Sequence, residues 1–208
     1  MTDWTWIWIV LAALVIIAAV AVCVILTKRL NHDITSESDL AGRRGEELAT
    51  QTIVRVLGEG DRLFTNVPVE FEGKVTELDN VVVNANGVFI IEVKNYSGKL
   101  KGSVNDFEWT KIKRTHGGKT YVKTVKNPIR QVKRQIFILS HFLRENGLNV
   151  WISGYVLLLG GNAPVQSDMI LPDAAAIDSV IHRHTAKSPE LRTTRLVAHL
   201  LEGNELPK

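Results

Sequence analysis

The sequence predicts an α/β or α+β domain built on a mixed central sheet flanked by helices, preceded by one N-terminal transmembrane helix. Three observations carry this. A charge-free apolar run long enough to cross a bilayer opens the chain. Short Val/Ile-rich runs bounded by turn residues recur between residues 63 and 159. Stretches of helical spacing separate them in the order helix, strands, helix, strand, which favours a mixed sheet over an all-helical or all-strand fold.

Taken in order, residues 4–27 contain no charged side chain, and their core reads WIWIVLAALVIIAAVAVCVIL. As a helix, residues 4–26 extend ~34 Å, enough for the ~30 Å hydrocarbon core. Trp4, Trp6 and Trp8 crowd one end, where aromatic side chains favour the headgroup region, and Lys28 and Arg29 close the other. The positive-inside bias then places the following domain in the cytoplasm, at the cell membrane, on a single-pass anchor. A cleaved signal peptide fits poorly, because Asp3 is the only early charge and the apolar run exceeds the ~7–15 residues of a signal core.

Residues 31–39 (NHDITSESD) are polar and read as a linker. Helical spacing follows over residues 40–57 and ends at Gly58 and Gly60. Residues 63–71, 76–83 and 88–93 have strand composition, and Asn84-Ala-Asn-Gly87 is a turn signal that makes the last two a hairpin. Polar short strands dotted with aromatics occupy residues 99–125. Asn127 caps a helix with Pro128 at its first position, running to about Glu145 and stopped by Asn146-Gly147. Residues 150–159 (VWISGYVLLL) form a further buried strand. A short strand near Met169 and helices over about 174–184 and 189–201 complete the chain. The expected organisation is an anchor over 1–30, a linker over 31–39, a main domain over 40–165, and a strand and helices over 166–208 that complete it.

Lys and Arg total 25 against 22 Asp and Glu, a net charge of +3. This mildly basic balance suits a nucleic-acid partner without requiring one. The one cysteine, Cys23, lies in the apolar run, so no intrachain disulfide can form. His182 and His184 form an isolated His-x-His with nothing nearby to complete a tetrahedral site, and read as surface residues rather than zinc ligands.

Two segments carry chemistry, TELDNVVV (76–83) and GVFIIEVKN (87–95). Glu92 and Lys94 interrupt an apolar strand at i, i+2 spacing and so share a face. Asp79 has similarly apolar company, and the hairpin brings its strand alongside. Asp79 and Glu92 can then converge on one cation with Lys94 beside it. Two carboxylates offer the hard oxygen ligands Mg²⁺ or Mn²⁺ takes, and such a metal polarises a phosphodiester and activates water. A neighbouring lysine orients or helps activate that water, or stabilises negative charge. Against this stands a solvated strand face with a cross-strand pair. The apolar surroundings favour chemistry, because buried carboxylates are costly unless paired or metal-bound. Separately, Lys111, Lys113, Arg114, Lys119, Lys123 and Lys126, interleaved with Trp109 and Tyr121, suit a phosphate backbone or a solvated hairpin equally, and Arg130, Lys133 and Arg134 extend that surface. Gly160-Gly161 lacks the Lys-Ser/Thr of a phosphate-binding loop.

Four motifs stand in order: GRRGEE (42–47), TELDNVVV (76–83), FIIEVKNYSG (89–98) and NPIRQ (127–131). In these the sequence resembles the nuclease-related domain (NERD) group of the PD-(D/E)XK nuclease superfamily, over roughly residues 40–160. The resemblance implies a restriction-endonuclease-like sheet. It makes Asp79 the central metal ligand, Glu92 and Lys94 the (D/E)XK pair, Glu46 an additional acidic residue and Gln131 a polar residue of the site. The position after the aspartate is often histidine in that family and is Asn80 here, so no histidine role is expected there. The expected function is a membrane-anchored, Mg²⁺- or Mn²⁺-dependent nuclease acting on DNA at the cytoplasmic face. The alternative is a non-catalytic module of the same fold that binds nucleic acid or a protein partner at the membrane.

Overall fold

The computed structural model describes residues 45, 47–115 and 117–203. The expected anchor, the linker and Glu46 lie outside the described residues. Among the described residues no helix is long and apolar enough to cross a membrane.

Helix α1 covers residues 47–54, within the helix expected over 40–57. Strands β1 (Arg62–Phe71), β2 (Lys74–Asn84) and β3 (Gly87–Lys94) follow as consecutive hairpins. The β1–β2 loop is two residues, Glu72 and Gly73, both at positive φ, the twist that favours tight hairpins. Strands β4 (Lys99–Lys101), β5 (Glu108–Arg114) and β6 (Thr120–Lys126) form a separate three-stranded antiparallel sheet. Helix α2 (Pro128–Glu145) is capped by Asn127, whose side chain accepts from the Ile129 N–H. Strand β7 (Ile152–Leu158) and the two-residue β8 (Ile170–Leu171) return to the main sheet, and α3 (Ala174–Ile181) and α4 (Leu191–Glu202) end the described chain. The main sheet runs β1-β2-β3-β7-β8, antiparallel through β3 and parallel from β3 to β8, hence mixed.

The strand-face alternation separates two cores. On one face Phe64, Val67, Val81, Val83, Val88 and Ile90 pack under Ile138, Leu139 and Leu143 of α2 and Val197 and Leu201 of α4. On the other, Val82, Phe89, Ile91 and Val93 meet Ala49 and Ile53 of α1 and Ile177 and Ile181 of α3. The fold is therefore a mixed sheet with helices on both faces. A third cluster, Leu100, Trp109, Ile129, Val132, Val156 and Leu158, seats the small sheet against α2 and β7.

Two irregularities shape the sheet near Asp79. The α2-facing positions run Phe64 then Val67 in β1, and Leu78 then Val81 in β2, so the alternation slips by one residue in both strands. The slip centres on Asn66, which holds a left-handed φ of 54° that asparagine tolerates, and on Asp79 across from it. The second irregularity is a fork. β2 pairs with β3 only from Val81↔Ile90 to Asn84↔Gly87. Beyond it, the earlier part of β2 keeps β1, and β3 from Ile91 to Lys94 keeps β7.

Candidate active site

The fork is where the chemistry-bearing residues gather. Continuing the β2–β3 register would set Asp79 across from Glu92, but side-chain bonds replace the ladder there. The Val93 N–H donates to Asp79 Oδ2 at 3.0 Å, and Asn80 Nδ2 reaches the Ile91 carbonyl at 3.5 Å. Glu92 shares the α2-facing side of β3 with Val88 and Ile90, and its side chain is completely buried.

Three donors surround the Glu92 carboxylate. Gln131 Nε2 donates to Oε1 at 2.6 Å, Gln135 Nε2 donates to Oε2 at 2.6 Å, and the Lys94 ammonium pairs with Oε1. Gln131 and Gln135 lie one helical turn apart on α2, so both reach the sheet. Gln135 also donates to the Glu77 carbonyl at 3.2 Å, while its Oε1 is buried with no hydrogen-bond partner among the described residues. Asp79 is half-buried, and its Oδ1 makes no hydrogen bond among the described residues.

The charges interact strongly. Burial first, and the Asp79 charge second, push Glu92 up from the usual carboxylate range to about 7, against the opposing pull of Lys94 and Gln135. Burial works to lower Lys94, but the charge and hydrogen bond of Glu92, helped by Asp79, leave it above its ordinary value. Lys94 therefore stays an ammonium ion at neutral pH, suited to stabilising negative charge rather than to removing a proton. Tyr96, two residues on, is raised by burial first, with Lys94 opposing and Glu92 adding to the rise.

Of the residues singled out in the sequence, Glu92, Lys94 and Gln131 make direct contacts, and Asp79 joins them through its charge and its bond to Val93. Gly45 of GRRGEE packs on the residue after Lys94, since a Cβ there would come within 2.9 Å of Asn95 Cβ. This brings the start of α1 to the end of β3. Asn80 is buried, accepts from Thr50 Oγ1 at 3.1 Å and ties α1 to the sheet, a structural task. Among the described residues no group of three or more His, Cys, Asp or Glu is placed to hold a metal ion. Gln135 was not anticipated. Its signal was a second glutamine at i+4 from Gln131, on a helix face otherwise filled by Ile129, Val132, Ile138 and Leu139.

The basic stretch divides. Lys111 and Lys123 are direct cross-strand partners on β5 and β6, next to the Lys113–Tyr121 pair on the same face. Like charges placed opposite each other are unfavourable unless an anion relieves them. Arg114 takes the opposite face and Lys119 the turn, and none of these cations has a carboxylate partner among the described residues. Trp109 does not belong to that surface: it is fully buried in the third core and donates from Nε1 to the Ser103 carbonyl. Arg130 sits apart on α2, with its guanidinium 3.8 Å from the Phe107 ring centroid. His182 is more engaged than a free surface residue, since Nε2 meets Asp61 at 2.8 Å and Nδ1 meets Asp178 at 2.7 Å.

Residues 41–159 match the nuclease-related domain family, and the chain belongs to it. An uncharacterized protein of Bacillus anthracis is 34% identical over 70 residues, a match covering 33% of this chain and 33% of that protein. The chain thus spans about a third of the length of this curated relative. No solved structure matches the chain.

Proposed function

We propose that this protein is a membrane-anchored, divalent-metal-dependent nuclease of the PD-(D/E)XK type, hydrolysing phosphodiester bonds of DNA at the cytoplasmic face. The observation that carries the reading is the fully buried Glu92 at the fork of the sheet, facing the like charge of Asp79 and held by Lys94, Gln131 and Gln135. A fully buried carboxylate beside a second, half-buried one favours a cation between the two. The donor set fits Mg²⁺ or Mn²⁺: both groups are hard oxygens, Asp79 Oδ1 is uncommitted among the described residues, and Gln135 Oε1, without a partner among them, can accept a hydrogen bond from a metal-bound water. Asp79 and Glu92 would hold the ion, with Glu46 a further candidate. A cation bound there supplies Lewis-acid polarisation of the phosphodiester and a more acidic water.

The protein's own groups have separate tasks. Lys94 remains charged and stabilises the negative charge that grows on the phosphate oxygens. Gln131 and Gln135 fix the Glu92 carboxylate by one oxygen each. The Lys111, Lys113 and Lys123 face, with Arg130, takes the phosphate backbone. Residues 4–26 form the anchor, and Lys28 and Arg29 set its orientation.

One observation favours a second reading. Both oxygens of Glu92 are already hydrogen-bonded within the protein, the arrangement a purely structural ion pair would have. A module of that kind would bind nucleic acid without cutting it. Incubating the purified full chain with plasmid, linear and single-stranded DNA in Mg²⁺, Mn²⁺ or EDTA separates the two. Metal-dependent cleavage that disappears in both Asp79→Asn and Glu92→Gln is expected. Binding without cleavage in every metal would establish the second reading.

A further inference from the structure

Phe107 is 77% exposed, the most exposed large apolar side chain among the described residues. A single exposed phenylalanine usually needs no explanation. This one is presented by a braced loop. The side-chain nitrogen of Asn127 lies within hydrogen-bond distance of the carbonyls of Ser103 (3.2 Å), Val104 (3.1 Å) and Asp106 (2.8 Å), and the Asn127 N–H donates to the Phe107 carbonyl at 3.1 Å. Ser103 donates from its N–H and its hydroxyl to the exposed Asp106 carboxylate, at 2.7 and 2.8 Å, closing the turn. The buried Trp109 closes the loop from below, so tightly that a Cβ on Gly102 would fall 2.2 Å from its ring. Arg130 bonds the Asn105 carbonyl at 3.3 Å and lays its guanidinium against one side of the Phe107 ring.

We propose that Phe107, backed by Arg130, is a stacking platform for one unpaired base of a nucleic acid held in the Glu92 site. An aromatic face with a cation behind it suits a flat, electron-rich ring attached to an anionic backbone, and stacking of this kind tolerates any base. Its position fits. Arg130 and Gln131 are adjacent on the first turn of α2, so the helix start that braces the platform also grips Glu92. The same loop leads directly into β5, which carries Lys111 and Lys113. Paired bases already stack within the duplex and leave no free face, so the ligand is single-stranded or frayed DNA or RNA. This deepens the nuclease reading by naming its substrate class, and it rests on that reading.

The test compares the purified full chain with its Phe107→Ala and Phe107→Trp variants in EDTA. The probes are a single-stranded oligonucleotide carrying 2-aminopurine, the same strand with abasic positions, and a fully paired blunt-ended duplex. Phe107→Ala should weaken binding of the single strand about tenfold, Phe107→Trp should restore it, and 2-aminopurine fluorescence should be quenched only by the aromatic proteins. Duplex and abasic binding should be alike for all three. Wild-type-like single-strand binding by Phe107→Ala overturns the platform, as does an equal loss on duplex and abasic probes, or no oligonucleotide binding by the wild-type chain. Cleavage in Mg²⁺ by the same proteins keeps the two readings distinct. Normal binding and cleavage by Phe107→Ala remove the platform and leave the nuclease. A tenfold binding loss with no cleavage by any protein retains the platform and removes hydrolysis.

Discussion

At the level of single residues, the site is organised around the burial of Glu92. A carboxylate without solvent is costly unless its charge is met, and Lys94, Gln131 and Gln135 meet it. Replacing Lys94 by Met removes the only cation in contact with it among the described residues. The loss should be on the order of 3 kcal/mol at pH 8, seen in urea unfolding. It should shrink near pH 5, where Glu92, with its raised value of about 7, takes up a proton. The sign follows from linkage. A carboxyl raised on folding adds stability below its unfolded value near 4.5 and loses it as pH rises through about 7, so Glu92→Gln should gain on wild type above neutrality. Gln135→Leu leaves Glu92 Oε2 and the Glu77 carbonyl without their donor and should cost about 1–3 kcal/mol by the same measurement. The i, i+2 spacing made the Glu92–Lys94 partnership readable from sequence. Gln135 escaped because a glutamine among apolar helix positions shows its purpose only when the sheet beneath it is known.

At the level of elements, the strands and helices were readable because hydrophobic period and punctuation agreed. Asn127-Pro128 and Asn146-Gly147 bracket α2, and the 84–87 turn joins β2 to β3. What sequence reading lacked was the slip in alternation at Asn66 and Asp79 and the fork before Val81. Both depend on a left-handed asparagine and on side chains substituting for ladder bonds, which leave no periodic trace. The small sheet hid its core residue for a related reason: Trp109 sits among lysines in sequence, yet the seat on α2 buries it. A clasp between elements was equally silent. His182, ending α3, joins Asp61 beyond α1 and Asp178 within α3. Both bonds are hydrogen bonds together only when the ring carries two protons. The Asp61 hydrogen bond first, with lesser help from Asp178 and against slight burial, raises His182 above 6.5. A raised histidine stabilises fully below its unfolded value and loses that contribution as pH rises through its folded one. His182→Ala should therefore lower the melting temperature most below the unfolded value of 6.5, and progressively less as pH rises through the raised folded value. A pH-independent difference would show that the clasp acts by packing alone.

At the level of the whole molecule, one chain carries a proposed anchor, a basic face and a carboxylate pair. The anchor rests on residues 4–26 and on Lys28-Arg29. A reporter fused after Lys208 should be active only if it folds in the cytoplasm, and activity on the other side would remove the access to DNA that the proposal needs. The central claim is narrower: Asp79 and Glu92 together bind a divalent cation. The thermal unfolding of the full chain with increasing Mg²⁺ or Mn²⁺ measures this most directly. A ligand that binds only the folded state stabilises by RT ln(1 + [L]/Kd), about 2.7 kcal/mol at a hundredfold excess over Kd. The melting temperature should rise with millimolar metal in the wild type. It should not respond in Asp79→Asn, which removes a charge with little change of shape. No rise in the wild type, or an equal rise in Asp79→Asn, would contradict a metal site at the fork.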